Sequence, residues 1–149
     1  MTGQSQPQML MGAQYYMHIF ATIQAAPANA TTYYLSQWAS GPALTQGVAI
    51  GVFLRSGMIK RVGINVLPLV VAGGAQLGTL SLLLNGVTEY IISSGVDWSL
   101  AFAAYGGEIA AAPAVNIGDY YEIKIVTPTW VPTPPQNVLY SGGLWIENQ

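Results

Sequence analysis

The chain has 149 residues, 52% hydrophobic and only 7% charged, with 17 Gly, 9 Pro and no Cys; a typical domain is about 25% charged. That length suits one domain with a sizeable core and does not comfortably suit two. Six acids against four bases leave a net charge of −2, too little for a phosphate-binding stripe, and the lack of Cys removes disulfides, thiol nucleophiles and thiolate metal sites, so nucleic-acid binding and zinc chemistry are poor expectations.

Residues 1–12, rich in Gln with one Pro, read as an extended N-terminal arm, and residues 13–149 as the folded domain. No Asp, Glu, Lys or Arg occurs before Arg55. An uncharged arm has little reason to order by itself, so a neighbouring chain is expected to hold it, with Met9 and Leu10 filling apolar notches; the alternative is that it folds back on its own sandwich as an extra edge strand. Mean hydropathy is +0.40, yet the most apolar stretch, 64–75, is broken by Asn65, Pro68 and Gly73-Gly74. No segment reaches the ~20 apolar residues of a spanning helix, and the start has no basic, apolar pattern of a secretory signal, so neither a membrane nor export is expected.

From Gly12 onward, short apolar runs alternate with Gly/Pro punctuation. Strands are predicted over 14–23, 31–37, 47–55, 60–70, 77–85, 87–93, 99–104, 120–126 and 138–146. Asn85-Gly86, between Leu82-Leu83-Leu84 and Val87, carries the residue pair that a type I′ hairpin turn prefers. Gly118-Asp119 reads as the turn feeding Tyr121-Glu122-Ile123-Lys124-Ile125, whose alternation puts Tyr and both Ile inward and both charges outward. Leu80, Leu82, Leu84, Ile123 and Ile125 are the expected core, with Leu83 facing a second layer or a partner. The Ala-rich stretch 101–114 holds Gly106-Gly107 and Pro113 and reads as strand and loop, not helix. Residues 127–135 carry four prolines and must be extended and unpaired. About nine short strands with regular turns define an all-β class, an antiparallel β-sandwich or jelly roll with an extended N-terminal arm.

Catalytic constellations are missing from this pattern. The one His, His18, lies in a strand-like run without a nucleophile elbow nearby, and reads as structural. Glu89, Asp97, Glu108, Asp119 and Glu122 read as solvated or salt-bridged surface acids rather than a glycosidase pair. No Asp-x-Asp-x-Asp calcium spacing occurs, and Gly73–Gly78 lacks phosphate-loop spacing. Asn29-Ala30-Thr31 is a glycosylation triplet of the kind that arises by chance. No enzyme activity, cofactor or metal is expected. The pairs Tyr15-Tyr16, Tyr33-Tyr34 and Tyr120-Tyr121 must each send one ring to either face. An outward ring could stack on sugar or pack on another subunit, and the low charge favours packing. Tyr15 joins Met9 and Leu10 as an expected partner contact. Arg55, Lys60 and Arg61 flank Ser56-Gly57 as a small basic edge, in which Lys60 and Arg61 either meet an acidic patch on a partner or belong to a plain solvated turn.

The runs Lys60–Val66, Gly78–Gly86 and Asn116–Ile125, with Thr31–Leu35 before and Ser141–Glu147 after, have an order that resembles the small jelly-roll proteins of tailed-phage virions. That resemblance covers roughly residues 31–147 and is to capsid decoration (cement) proteins and fibre head domains. It implies a homotrimer on a virion capsid surface, with itself and a major capsid protein as partners and neither nucleic acid nor membrane. A receptor-binding knob of a tail or head fibre, recognising host glycan, is the alternative.

Overall fold

A computed structural model describes residues 14–36 and 41–149. The expected arm, residues 1–12 with Met9 and Leu10, lies outside the described residues. Ten strands occur among those described: β1 (Gln14–Gln24), β2 (Thr32–Leu35), β3 (Gly51–Val52), β4 (Gly57–Val70), β5 (Leu77–Leu84), β6 (Thr88–Asp97), β7 (Ala103–Glu108), β8 (Ala114–Val115), β9 (Tyr120–Val126) and β10 (Gln136–Glu147). They form two five-stranded sheets. Sheet A runs β1-β10-β4-β7, with β8 also on β4; sheet B runs β2-β9-β5-β6, with β3 also on β9. Every pairing is antiparallel. The chain therefore folds as a long hairpin rolled on itself: β1 lies beside β10, β2 beside β9, β4 beside β7 and β5 beside β6. This order is the jelly roll.

The core follows from strand parity. Leu80 faces Ile125, Leu82 faces Ile123 and Leu84 faces Tyr121 across β5 and β9, and all six are buried. Ile59, Val62, Ile64 and Val66 of β4 close the core from sheet A. Ile59 and Val62 are three apart, which strict alternation forbids. A register shift opposite Trp145 and Ile146 supplies the extra residue, and it lets Lys60 and Arg61 both leave the inward face. A buried polar chain joins the sheets. The Trp98 indole N–H donates to Tyr140 Oη at 3.0 Å, and the Tyr140 hydroxyl donates to Gln24 Oε1 at 2.9 Å. Burial pushes the Tyr140 hydroxyl pKa above its ordinary value of 10. Trp130, from the proline-rich 127–135 segment, packs edge-on against Trp98 with centroids 5.3 Å apart and donates its indole N–H to Pro27 O at 2.8 Å.

The hairpin turn forms as expected: Asn85 and Gly86 have φ of 50° and 69°, and the Val87 N–H returns to Leu84 O at 2.9 Å. The expected strand over 47–55 shrinks to Gly51–Val52. Gly47 turns with φ of 83°, and its N–H donates to Glu122 Oε1 at 2.7 Å instead of joining a ladder. The expected strand at 99–104 moves to Ala103–Glu108, because Asp97 Oδ1 accepts from both Ser99 N–H and Ser99 Oγ at 2.8 and 2.6 Å and turns the chain there. Glu122, expected on the surface, is fully buried. Its side chain does leave the core face, but the segment holding Gly47 lies over it. Leu83, its cross-strand neighbour, is buried outside the main core in the same layer.

Candidate functional site

Five of the ten charged residues hold the fold. Asp119 Oδ2 accepts from Asn116 N–H at 2.7 Å, and its Oδ1 accepts from Asn85 Nδ2 at 3.2 Å, tying one turn to the hairpin. Asp97 caps its own turn. Glu89 pairs with Lys124 at 3.2 Å, and Glu122 holds Gly47. Glu108 and Glu147 are the remaining acids, and among the described residues no hydrogen bond or ion pair engages either carboxylate. Both line one open cleft of about 500 Å³ with Gln14, Lys60, Arg61, Ile109 and Ala110.

Beside this cleft, one row crosses the outer face of sheet A. Tyr16 of β1 pairs with Trp145 of β10, Trp145 with Arg61 of β4, and Arg61 with Glu108 of β7. The Tyr16 and Trp145 rings lie 4.5 Å apart at 58°, and His18 meets Tyr16 edge-on at 4.4 Å. The Arg61 guanidinium carbon sits 5.5 Å from the Trp145 ring centroid, in cation–π range. Burial raises the Tyr16 hydroxyl pKa, so the ring stays neutral at ordinary pH. The next row is His18, Gly143, Gly63 and Gly106. A Cβ on Gly143 would stand 2.5 Å from Tyr16 Oη, and one on Gly63 would touch Trp145 at 3.6 Å. The rings thus lean over backbone that carries no side chain, and both remain partly exposed. Aromatic surface, two cations, two carboxylates and an amide are gathered within one patch.

Of the expected partner contacts, the structure brings Lys60 and Arg61 together here. Tyr15 lies elsewhere, in a smaller cleft of about 310 Å³ with Met17, Val52, Leu54 and Arg55. Its hydroxyl donates to Arg55 O at 2.8 Å. The expected basic edge is therefore split, with Arg55 in one cleft and Lys60 and Arg61 in the other. The tyrosine pairs divide between faces as strand geometry requires: Tyr33 and Tyr121 are in the core, while Tyr16, Tyr34 and Tyr120 are partly exposed. Burial lifts the Tyr121 hydroxyl pKa above its ordinary 10. Sequence reasoning passed over Trp145, Tyr16, Glu108 and Glu147 as a group, because only strand pairing brings four distant strands into one row. Gly142-Gly143 two residues before Trp145 was the local signal, since glycine in a strand marks close approach by another group.

A second surface is apolar. Ile23 pairs with Leu139, and Leu139 with Leu67, at the opposite end of the same sheet face. Leu69 is 64% exposed and Phe102, just before β7, 60% exposed. Sixteen large hydrophobic side chains are exposed among the described residues. The described residues include no helix long and apolar enough to cross a membrane, and no group of three or more His, Cys, Asp or Glu that could hold a metal ion.

The fold is an all-β jelly-roll sandwich whose sheet A carries a charged, aromatic patch at one end of its outer face and apolar side chains at the other. No protein-family model and no curated protein sequence matches the chain. Among solved structures, the chain is similar to the CBM35 from Cellvibrio japonicus Abf62, with 16% identity, a TM-score of 0.38, and coverage of 92% of this chain and 99% of that one.

Proposed function

We propose that the protein is a structural, self-assembling virion component, a capsid decoration protein that trimerises and stabilises a shell through contacts between subunits. One observation carries this reading: sixteen large hydrophobic side chains stand exposed among the described residues of a chain with only ten charged residues. Four of them, Ile23, Leu67, Leu69 and Phe102, belong to the apolar end of sheet A, and low charge removes the repulsion that keeps monomers apart. The band of Ile23, Leu139, Leu67, Leu69 and Phe102 is the surface assigned to a neighbouring copy. A lattice repeats each contact, so a modest interface accumulates avidity. The order three and the virion setting rest on the resemblance in strand-and-turn order. No catalytic role is assigned, and neither nucleic acid nor membrane is a proposed partner.

The test adds purified protein to capsids lacking surface decoration and images them. Capsid-wide density at symmetry positions, with a rise in shell melting temperature, supports the reading. Capsids that stay bare at micromolar protein would sink it. A second reading, a receptor-binding knob that grips host glycan, is favoured by the Tyr16–Trp145–Arg61 row. Density confined to a few tail or fibre positions on labelled particles would select it.

A further inference from the structure

We infer that the Tyr16–Trp145 row and the adjoining cleft form a binding site for a neutral oligosaccharide, with one sugar ring against the solvent-exposed part of the Tyr16–Trp145 pair beside Arg61 and the next in the cleft against Glu108 and Glu147. The inference rests on the glycan-binding reading and deepens it to named residues and a ligand class.

Three observations converge on this patch. The rings pack down on Gly143 and Gly63 while each keeps part of its surface in solvent, and the apolar C–H face of a pyranose fits such a surface. Tyr16 and Trp145 hold each other at 4.5 Å, with His18 fixed edge-on, so little side-chain freedom remains to be lost on binding. The cleft beside them, about 500 Å³, lies in the size range of small-molecule sites. It offers carboxylate acceptors from Glu108 and Glu147, cationic donors from Lys60 and Arg61, and the two-way amide of Gln14. Vicinal sugar hydroxyls both donate and accept, and hydrogen bonds to charged groups are the strong ones.

Charge decides between ligand classes. Two acids and two bases line the cleft, so it has no net attraction for an anion. A nucleic-acid strand could stack its bases on the rings, but its phosphates would meet Glu108 and Glu147 on a chain of net charge −2. An acidic sugar meets the same two carboxylates.

The experiment titrates the full-length protein with neutral hexose oligosaccharides, a sialylated oligosaccharide and single-stranded DNA, following binding by calorimetry after a glycan-array screen. The expected result is binding of at least one neutral oligosaccharide and neither anion. Trp145→Ala should weaken it at least tenfold, Trp145→Tyr by less than about threefold, and Glu108→Gln with Glu147→Gln several-fold. Unchanged urea midpoints in the variants would show that folding is intact. If Trp145→Ala unfolds the protein, the carboxamide variants and Trp145→Tyr carry the test. Tight neutral-glycan binding that survives all of these variants overturns this site while leaving the glycan-binding reading standing. Absence of any neutral-glycan binding at millimolar ligand overturns both, and preferential binding of DNA or the sialylated sugar overturns the ligand class.

Discussion

Replacing Tyr140 with Phe removes one oxygen from the centre of the sandwich and should be expensive. That hydroxyl accepts from the Trp98 indole at 3.0 Å and donates to Gln24 Oε1 at 2.9 Å. Trp98 and Tyr140 are fully buried and Gln24 nearly so, so water cannot replace the lost partner. Each buried polar group left unsatisfied costs about 1–3 kcal/mol, and two are orphaned at once. We expect Tyr140→Phe to lower unfolding free energy by about 2–5 kcal/mol and the melting temperature by roughly 5–15 °C. Urea unfolding at several fixed protein concentrations is the assay, because association also stabilises. Trp98→Phe in the Tyr140→Phe background should cost less than it does alone, since the indole N–H then has no bond left to lose. A loss below about 0.5 kcal/mol for Tyr140→Phe, or strict additivity in the cycle, would refute the reasoning.

Three more outcomes follow from single residues. Burial raises the Glu122 carboxyl pKa, while the Gly47 N–H opposes the shift; the native group therefore keeps its proton where the unfolded chain has lost it. Stability should fall as pH rises from the ordinary value of 4.5 through the raised native value. Glu122→Gln should remove that fall and be the more stable form at neutral pH, as unfolding curves across pH will report. Leu82→Ala, at the buried contact with Ile123, should cost about 2–5 kcal/mol by the same urea assay, with an unchanged pattern of strand amide protection. Glu89→Ala, which breaks the partly exposed pair with Lys124, should change stability by less than about 1 kcal/mol, and that difference should shrink in high salt.

Local patterning carried the architecture. Leu80, Leu82 and Leu84 alternate with Ile123 and Ile125 in the period that buries one sheet face, and Asn85-Gly86 can adopt a backbone that few other pairs tolerate. Both features are local, so they are readable along the chain. Glu122 is the instructive failure. Its parity places it outward, but whether outward means solvent depends on the segment around Gly47 crossing from 75 positions away in the chain. The candidate site is non-local in the same way. Lys60 and Arg61 were legible as a charged pair in a charge-poor chain, while Tyr16, Trp145 and Glu108 join them only through the pairing of β1, β10, β4 and β7. Tyr15 and Tyr16 leave β1 toward opposite faces, Tyr15 to the cleft with Arg55 and Tyr16 to the row with Trp145.

If this charge-poor jelly roll works as an assembled structural subunit, its native mass in solution will show it. Light scattering on the eluting protein from low to high micromolar concentration should give three times the 15.8 kDa chain mass. Leu67→Asp with Leu69→Lys should reduce the trimer to single chains that keep the same far-ultraviolet circular dichroism. A wild-type protein that remains at the single-chain mass throughout this range would contradict the account.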